Sequence, residues 1–156
     1  MKKRYLVMVL LLGFGVLFGV LLSEGTKQAR VATTSPTLAP EALPAQKDDL
    51  ILVTAPLPQA TVTSPLVIKG KARGNWYFEG SFPVSLVATD GTVLAEGHAS
   101  AQGEWMTTDY VPFAVTLSYT LPQTVTDPHG FVILRKDNPS GEPQFDNSLS
   151  VPVTLQ

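Results

Sequence analysis

Two acidic residues carry the pattern of a site that could hydrolyse a glycosidic bond. Glu79 follows the aromatic run WYF at 76–78, and Glu104 precedes Trp105. Two carboxylates about 5–10 Å apart can serve as acid and base or nucleophile, and adjacent aromatic rings can stack on a sugar. Acids beside aromatic residues are also common at the rims of β-sandwiches, where they are solvated. We therefore expect no catalytic residue and keep the carboxylate pair as an alternative.

Histidine, cysteine and oxygen-rich segments offer few other reactive sites. The chain has no cysteine, only two histidines, His98 and His129, and neither an H-x-x-x-H pair nor a G-x-S-x-G elbow. A thiolate nucleophile, a histidine-rich zinc site and an α/β-hydrolase serine are therefore disfavoured. The segment 136–148 is rich in the oxygen ligands that calcium prefers, but its spacing differs from an EF-hand loop. We expect no cofactor, and a structural calcium ion in 136–148 stays an open alternative.

The aromatic residues beside the two acids also suit contact with a partner. Trp and Tyr dominate the hot spots of protein interfaces. We therefore name Trp76, Tyr77, Glu79 and Trp105 as candidate partner-binding residues. The competing interpretation assigns Trp105 and Phe78 to the core, where large aromatic rings are commonly buried. Period-two alternation with the following strand predicts that Phe78 points inward and Tyr77 outward.

Short runs of alternating apolar and polar residues dominate the chain after residue 50. In 113–121 and in 149–155 the apolar residues recur at every second position. This period is typical of strands with one buried face, and Asp90-Gly91 is a strong hairpin signal. The pattern predicts an all-β, immunoglobulin-like β-sandwich of about seven strands. The strands are predicted near 50–54, 65–73, 82–89, 92–101, 111–121, 130–136 and 147–155.

The first 22 residues have the character of a membrane anchor. Three basic residues at 2–4 precede the apolar run 5–22, which carries no charge. As a helix this run would be roughly 27 Å long, close to the hydrocarbon thickness of a bilayer. A secretory signal has a shorter apolar core, so an uncleaved anchor is favoured over a signal peptide. The basic residues keep the N-terminus in the cytoplasm and place the rest of the chain outside it.

A linker separates this anchor from the predicted sandwich. Residues 23–49 contain mainly small, polar and charged side chains with three prolines, and they show no clear periodicity. Such a composition is typical of a disordered tether. The predicted organisation is therefore an anchor at 1–22, a disordered linker at 23–49 and the β-sandwich domain at 50–156.

The charge of the chain argues against a nucleic-acid partner. The net charge is −2, and residues 50–156 hold five Lys and Arg against nine Asp and Glu. Lys69, Lys71 and Arg73 alternate along one predicted strand and would form a small basic stripe on a solvated face. Nucleic-acid binding needs more positive charge than this. A weaker alternative is contact between the stripe and an anionic polymer of the cell wall.

Several segments of 50–156 together resemble the immunoglobulin-like domain of bacterial spore germination. They are SPL.I.G.A, FEG.FPV.L, DG..LA.G, EWM, PF.V.L and NPSGEP..D. The resemblance implies an immunoglobulin-like fold and an envelope setting. It also implies non-catalytic interaction modules, which are often joined to a germination-and-sporulation domain. Residues 1–156 contain neither that companion domain nor the lipobox cysteine that anchors many such proteins.

These observations predict a single-pass protein of the cell membrane whose C-terminal domain lies outside the cytoplasm. We expect that domain to bind an envelope protein or a cell-wall polymer without catalysis, in the germination or sporulation setting that the resemblance implies. No nucleic-acid partner is expected, and the oligomeric state stays open. Two alternatives stand beside this hypothesis: a cell-wall glycan hydrolase that uses Glu79 and Glu104, and a ligand-free structural spacer.

Overall fold

The computed structural model describes residues 42–156, which form an all-β domain. Nine strands are connected by loops, two of which contain a short 3₁₀ turn, Gly74–Trp76 and Pro143–Phe145. Within residues 42–156 no helix is long and apolar enough to cross a membrane. The strands are β1 (Ala45–Lys47), β2 (Ile51–Ala55), β3 (Thr61–Val62), β4 (Leu66–Arg73), β5 (Ser81–Ala88), β6 (Val93–Ala101), β7 (Tyr110–Leu117), β8 (His129–Arg135) and β9 (Ser148–Leu155).

All seven predicted strands are present, as β2, β4 and β5 to β9. Six of them begin and end within one residue of the predicted bounds, and β7 ends four residues early, at Leu117. The alternating pattern continues beyond that point, but the N–H of Tyr119 donates to the Ser64 hydroxyl at 2.9 Å instead of to a neighbouring strand. The short strands β1 and β3 lie outside the prediction.

Strand β1 extends the folded domain beyond its predicted boundary. It pairs antiparallel with β2 through a hairpin in which Asp48 and Asp49 both have positive φ. The last residues of the predicted linker at 23–49 therefore belong to the sheet. The predicted anchor at 1–22, and the linker up to residue 41, lie outside the described residues.

The strands form one continuous sheet that folds over into two layers. Their order is β1-β2-β4-β7-β6-β5-β8-β9-β3, and all neighbours are antiparallel except β3 and β9. Strands β6 and β7 share only two residue pairs, Ser100 with Ala114 and Ala101 with Phe113, and the sheet turns there. One layer is β1-β2-β4-β7 and the other is β6-β5-β8-β9-β3. This arrangement agrees with the predicted immunoglobulin-like sandwich, in which the chain crosses repeatedly between layers.

Side chains from both layers meet in a single apolar core. Phe82 of β5 and Phe113 of β7 come from opposite layers, yet their ring centroids are 5.0 Å apart in a T-shaped arrangement. The strands bury alternate residues, as the period-two pattern predicts. The largest fully buried side chains are Ile51, Val53, Ile68, Trp76, Phe82, Val84, Leu86, Phe113, Val132, Leu134, Val151 and Val153.

The antiparallel ladders bring the connections to two opposite ends of the sandwich. At the upper end lie the segments that we define as the upper loops: 48–50, 74–80, 102–109 and 136–147. At the lower end lie 56–65, 89–92 and 118–128. Strand β1 runs toward the upper end. The C-terminal Gln156 also lies at the lower end, where its N–H donates to the Val62 carbonyl at 3.0 Å.

Candidate interaction surface

The upper loop 74–80 places two of its three aromatic rings in the core. Trp76 is fully buried and Tyr77 is 4% exposed. The Tyr77 hydroxyl donates to the Val111 carbonyl at 2.7 Å, and burial raises the pKa of Tyr77 to about 12. The rings of Trp76 and Tyr77 pack edge-on against Phe82, with centroids 6.4 and 5.2 Å away. Because both rings belong to the core, neither offers a surface to a partner in this conformation.

Phe78 and Tyr77 have the opposite orientations from those that alternation predicts. Tyr77 is buried whereas Phe78 is 42% exposed, so the prediction of an inward Phe78 and an outward Tyr77 is wrong. The cause is the 3₁₀ turn at Gly74–Trp76, which has three residues per turn and takes the chain out of the strand period.

A tight turn then holds Phe78 at the surface. Glu79 and Gly80 both have left-handed backbone angles, with φ of 48° and 75°. Phe78 and Ser81 exchange two backbone hydrogen bonds of 3.0 and 3.1 Å across this turn. Two consecutive residues with positive φ are the mark of a type I′ hairpin turn. The candidate residue Glu79 therefore lies at an exposed turn, at a backbone cost of about 1 kcal/mol.

The neighbouring loop 102–109 is packed tightly against 74–80. Gly74 lies so close that a Cβ atom there would come within 1.9 Å of the Thr107 carbonyl oxygen. The candidate residue Trp105 is partly buried and packs against the core, and its ring lies beside Gly80. The two loops therefore hold each other in place, and Trp105 contributes to this packing while part of its surface stays accessible.

The loop 136–147 is fixed to the other side of 74–80. The N–H of Asp137 donates to the Trp76 carbonyl at 3.1 Å. Within the loop, the Asn138 amide donates to the Glu142 carbonyl at 2.9 Å and to a carboxylate oxygen of Asp146 at 2.8 Å. The polar side chains of this loop thus satisfy one another, and the three loops form one connected surface.

Each of these three connected loops exposes one large apolar side chain. Phe78 is 42% exposed, Phe145 is 52% exposed and Met106 is 77% exposed. We define these residues as the upper apolar triad. Sequence analysis missed Met106 and Phe145, although each is a large apolar residue within a loop of polar and turn-forming neighbours, which is a usable signal. Large apolar groups left exposed on adjoining loops are characteristic of interaction sites.

Carboxylates are concentrated in the upper loops that carry this apolar triad. Residues 42–156 contain eleven Asp and Glu, of which eight lie in the upper loops together with a single cation, Lys136. The eight are Asp48, Asp49, Glu79, Glu104, Asp109, Asp137, Glu142 and Asp146. The upper end therefore combines exposed apolar groups with a strongly negative rim.

A polar network occupies the outer face just below the upper loops. Arg73 Nη2 lies 2.6 Å from Asp49 Oδ2, and the Tyr110 hydroxyl donates to Asp49 Oδ1 at 2.7 Å. These hydrogen bonds, the one from Tyr110 first, lower the pKa of Asp49. The Tyr110 ring also carries Arg73 at 4.1 Å and Lys71 at 4.6 Å from its centroid. Two cations of the predicted basic stripe are thus engaged, and only Lys69 is free of this network.

The carboxylates of the hydrolase alternative lie on adjoining loops but face solvent. Glu79 and Glu104 are both exposed. Two concave surfaces of the domain, with volumes of about 430 and 290 Å³, are lined by other residues. Nothing in this arrangement encloses a scissile bond between the two acids.

Metal ligation finds no support at the upper end. In the part of the chain that the structure describes, no group of three or more His, Asp and Glu side chains could hold a metal ion. His98 is exposed on β6, and His129 Nδ1 lies 2.6 Å from Asp127 Oδ1 at the lower end.

Comparison with known proteins gives one match. Residues 50–142 match a family described as the immunoglobulin-like domain of bacterial spore germination. The match begins at β2 and ends within the last upper loop, so it includes the whole upper apolar triad except Phe145. No curated protein and no solved structure is significantly similar to the chain.

Proposed function

The chain belongs to the family of immunoglobulin-like domains of bacterial spore germination, and on that premise we propose that it is a membrane-anchored, extracytoplasmic binding module. It binds an envelope protein without catalysis, through the upper apolar triad and its acidic rim. The observation that carries the proposal is that three interlocked loops each expose one large apolar side chain at the same end of the domain.

Rigid loops make this end suited to protein recognition. Binding sites are commonly built on loops that a stable scaffold positions. Loops that are already packed against each other lose little conformational entropy when a partner binds. The close approach of Gly74 to the Thr107 backbone and the hydrogen bond between Asp137 and Trp76 supply that order in advance.

The acidic rim favours a partner with a basic surface around an apolar pocket. Complementary charge steers association and rejects wrong partners, whereas the apolar contacts supply most of the affinity. The loops 74–80 and 102–109, which carry Phe78 and Met106, hold three carboxylates and no Lys or Arg, so contact of these two side chains with an anionic cell-wall polymer is disfavoured. A protein partner is therefore preferred over such a polymer at the triad.

The predicted anchor and linker support action close to the membrane. The apolar run 5–22 is the predicted anchor, and the linker that follows it precedes the folded domain. Such a linker would keep the domain within reach of a partner in the envelope.

Site-specific photo-crosslinking on the full-length chain in its own membrane tests this proposal. A photoreactive amino acid placed at position 78, 106 or 145 is expected to capture the same protein, whereas placement at Val67 or Val93 is not. Val67 and Val93 are matched controls because they are 44% and 54% exposed but lie on strands away from the upper loops. Crosslinks of equal yield from the strand positions would contradict the proposal, as would capture that survives replacement of all three triad residues by Ser.

A further inference from the structure

Three cations line a groove between the two layers of the sandwich. The groove has a volume of about 430 Å³ and lies where β1 comes close to the adjoining ends of β8 and β9. Its lining residues are Lys47, Arg135, Lys136, Asp146, Asn147 and Ser148. In the described residues β3 pairs with β9 only at Thr154 and Leu155, so the first half of β9 borders the groove as an open edge. We define this feature as the seam groove.

The seam groove carries more positive than negative charge, with three cations against the single carboxylate of Asp146. Residues 42–156 contain six Lys and Arg, and three of them line this groove. The Asp146 carboxylate is engaged by the Asn138 amide at 2.8 Å, inside its own loop. Lys47 Nζ is 3.6 Å from an exposed oxygen of Asp48, a surface ion pair worth about 0–1 kcal/mol. An anion entering the groove would therefore meet a net positive surface.

The hydroxyl of the buried Ser85 orients the guanidinium of Arg135. Arg135 Nη1 donates to the hydroxyl oxygen of Ser85, and Ser85 is only 2% exposed. In the described part of the chain the Arg135 guanidinium makes no other protein hydrogen bond, so several of its N–H donors remain available. A guanidinium that is already oriented loses less freedom when it binds a second group.

We propose that the seam groove binds a phosphate group. A phosphate monoester carries a charge of about −1.5 to −2 and presents three acceptor oxygens, and a phosphodiester carries one charge and two free oxygens, so either suits a groove lined by three cations. The fixed guanidinium of Arg135 supplies the planar, two-donor recognition that arginine offers to phosphate. Lys47 and Lys136 add charge from the two sides of the groove. This site lies beyond the protein-binding function of the upper apolar triad and does not depend on it.

Isothermal titration calorimetry on the full-length chain tests the assignment. The chain is kept in nonionic detergent at low ionic strength and titrated with inorganic phosphate or with a glycerol phosphate oligomer. A dissociation constant in the millimolar range or tighter is expected for at least one of them. Binding of inorganic phosphate alone would identify a small soluble ligand, whereas tighter binding of the oligomer would identify a phosphate-bearing polymer.

Matched substitutions separate the seam groove from general surface charge. Arg135→Gln and Lys136→Gln are each expected to weaken phosphate binding about fivefold or more, and Ser85→Ala about threefold through loss of the oriented guanidinium. Lys69→Gln removes an equal charge from an exposed position on β4 and is expected to change binding less than twofold.

Two results would overturn the assignment. One is the lack of a binding heat with either phosphate ligand on a chain whose thermal unfolding is intact. The other is an equal loss of phosphate affinity in Lys69→Gln and Arg135→Gln. It would show that binding depends on the net charge of the domain and not on the seam groove. Neither result would touch the crosslinking outcome at the upper loops, since Phe78, Met106 and Phe145 do not line the seam groove.

Discussion

The upper and lower ends of the sandwich differ in the large side chains that they bury and expose. At the lower end, Tyr119 closes the structure by donating its hydroxyl hydrogen toward two backbone carbonyls, those of Val62 at 2.8 Å and Gln156 at 3.2 Å. At the upper end the Tyr77 hydroxyl likewise donates to a backbone carbonyl, that of Val111, but three large apolar side chains are exposed to solvent. The lower connections 56–65, 89–92 and 118–128 expose no large apolar side chain, although Val67 and Val93 are exposed on the strands that follow them, whereas the upper loops bury two rings and expose three large apolar side chains.

Charge divides the two ends in the same way. The upper loops hold eight carboxylates, while the lower connections hold two, Asp90 and Asp127. Asp127 is occupied by His129 and by the Thr89 hydroxyl, which donates to it at 2.8 Å. The polar groups of the lower connections are thus paired within the domain, whereas the upper loops leave carboxylates and apolar side chains available for contact.

The largest expected effect comes from Trp76, whose ring is buried beneath the upper loops. Trp76→Ala removes a fully buried indole and is expected to lower the free energy of unfolding by about 3–5 kcal/mol. Urea unfolding followed by fluorescence measures this, with Phe78→Ala as the matched control at a loss below about 1 kcal/mol. A similar loss of unfolding free energy in both variants would mean that Phe78 also belongs to the core. It would contradict the assignment of Trp76 to the core and Phe78 to the surface.

The lower end is expected to be next in sensitivity. Tyr119→Phe keeps the ring but removes the hydroxyl that serves Val62 and Gln156, so the loss should be about 1–2 kcal/mol. Tyr110→Phe, at the exposed network with Asp49, should cost less than half as much. Differential scanning calorimetry of both variants measures the two losses of stability. A larger loss in Tyr110→Phe than in Tyr119→Phe would contradict the prediction.

A smaller and opposite effect is expected at the tip of the upper turn. Glu79→Asn creates the Asn-Gly pair that type I′ turns prefer, and should stabilise the domain by about 0.5–1 kcal/mol. Equilibrium unfolding in urea measures the gain, and Glu104→Asn serves as the control for loss of a carboxylate. A destabilised Glu79→Asn variant would show that the Glu79 side chain, and not the turn, holds Phe78 outward.

Acid sensitivity should distinguish the ends least, since the groups involved are exposed. Hydrogen bonds lower the pKa of Asp49 at the upper end and of Asp127 at the lower end, the latter chiefly through His129. A depressed folded-state pKa contributes stability above the ordinary value of about 3.9, and this is lost as the pH falls below it. Melting temperatures between about pH 5 and pH 2 should therefore fall less in Asp49→Asn and Asp127→Asn than in the parent. If the melting temperature of Asp127→Asn falls with pH as steeply as that of the parent, while that of Asp49→Asn does not, only the upper end is acid-sensitive.

The strand pattern of this chain could be predicted because burial alternates along each ladder. Six of seven strands follow the pattern of apolar residues to within one residue, and the family resemblance is confirmed over 50–142. Strands β1 and β3 carry too few residues for a period to develop. They depend on partners distant in sequence, such as the pairing of Thr61 with Thr154.

The candidate surface could be predicted only in part, since its geometry is set by local backbone conformation. The aromatic run at 76–78 drew attention to the correct loop, but the 3₁₀ turn buries Trp76 and Tyr77 and leaves Phe78 outside. Met106 and Phe145 carry no periodic signal, and their shared location follows from ladder directions that appear only in the folded chain. Partner binding through Glu79 or Trp105 stays a prediction.

The short strand β1 has a mechanical consequence for the seam groove. A force that pulls Ala45 away from the upper loops would act along the axis of β1. It would shear the three residue pairs of the β1–β2 ladder together instead of opening them one by one. Lys47 is the last residue of that strand, so slippage of β1 would withdraw one wall of the seam groove. Force on β1 and occupancy of the proposed phosphate site would then be linked through a strand of three residues.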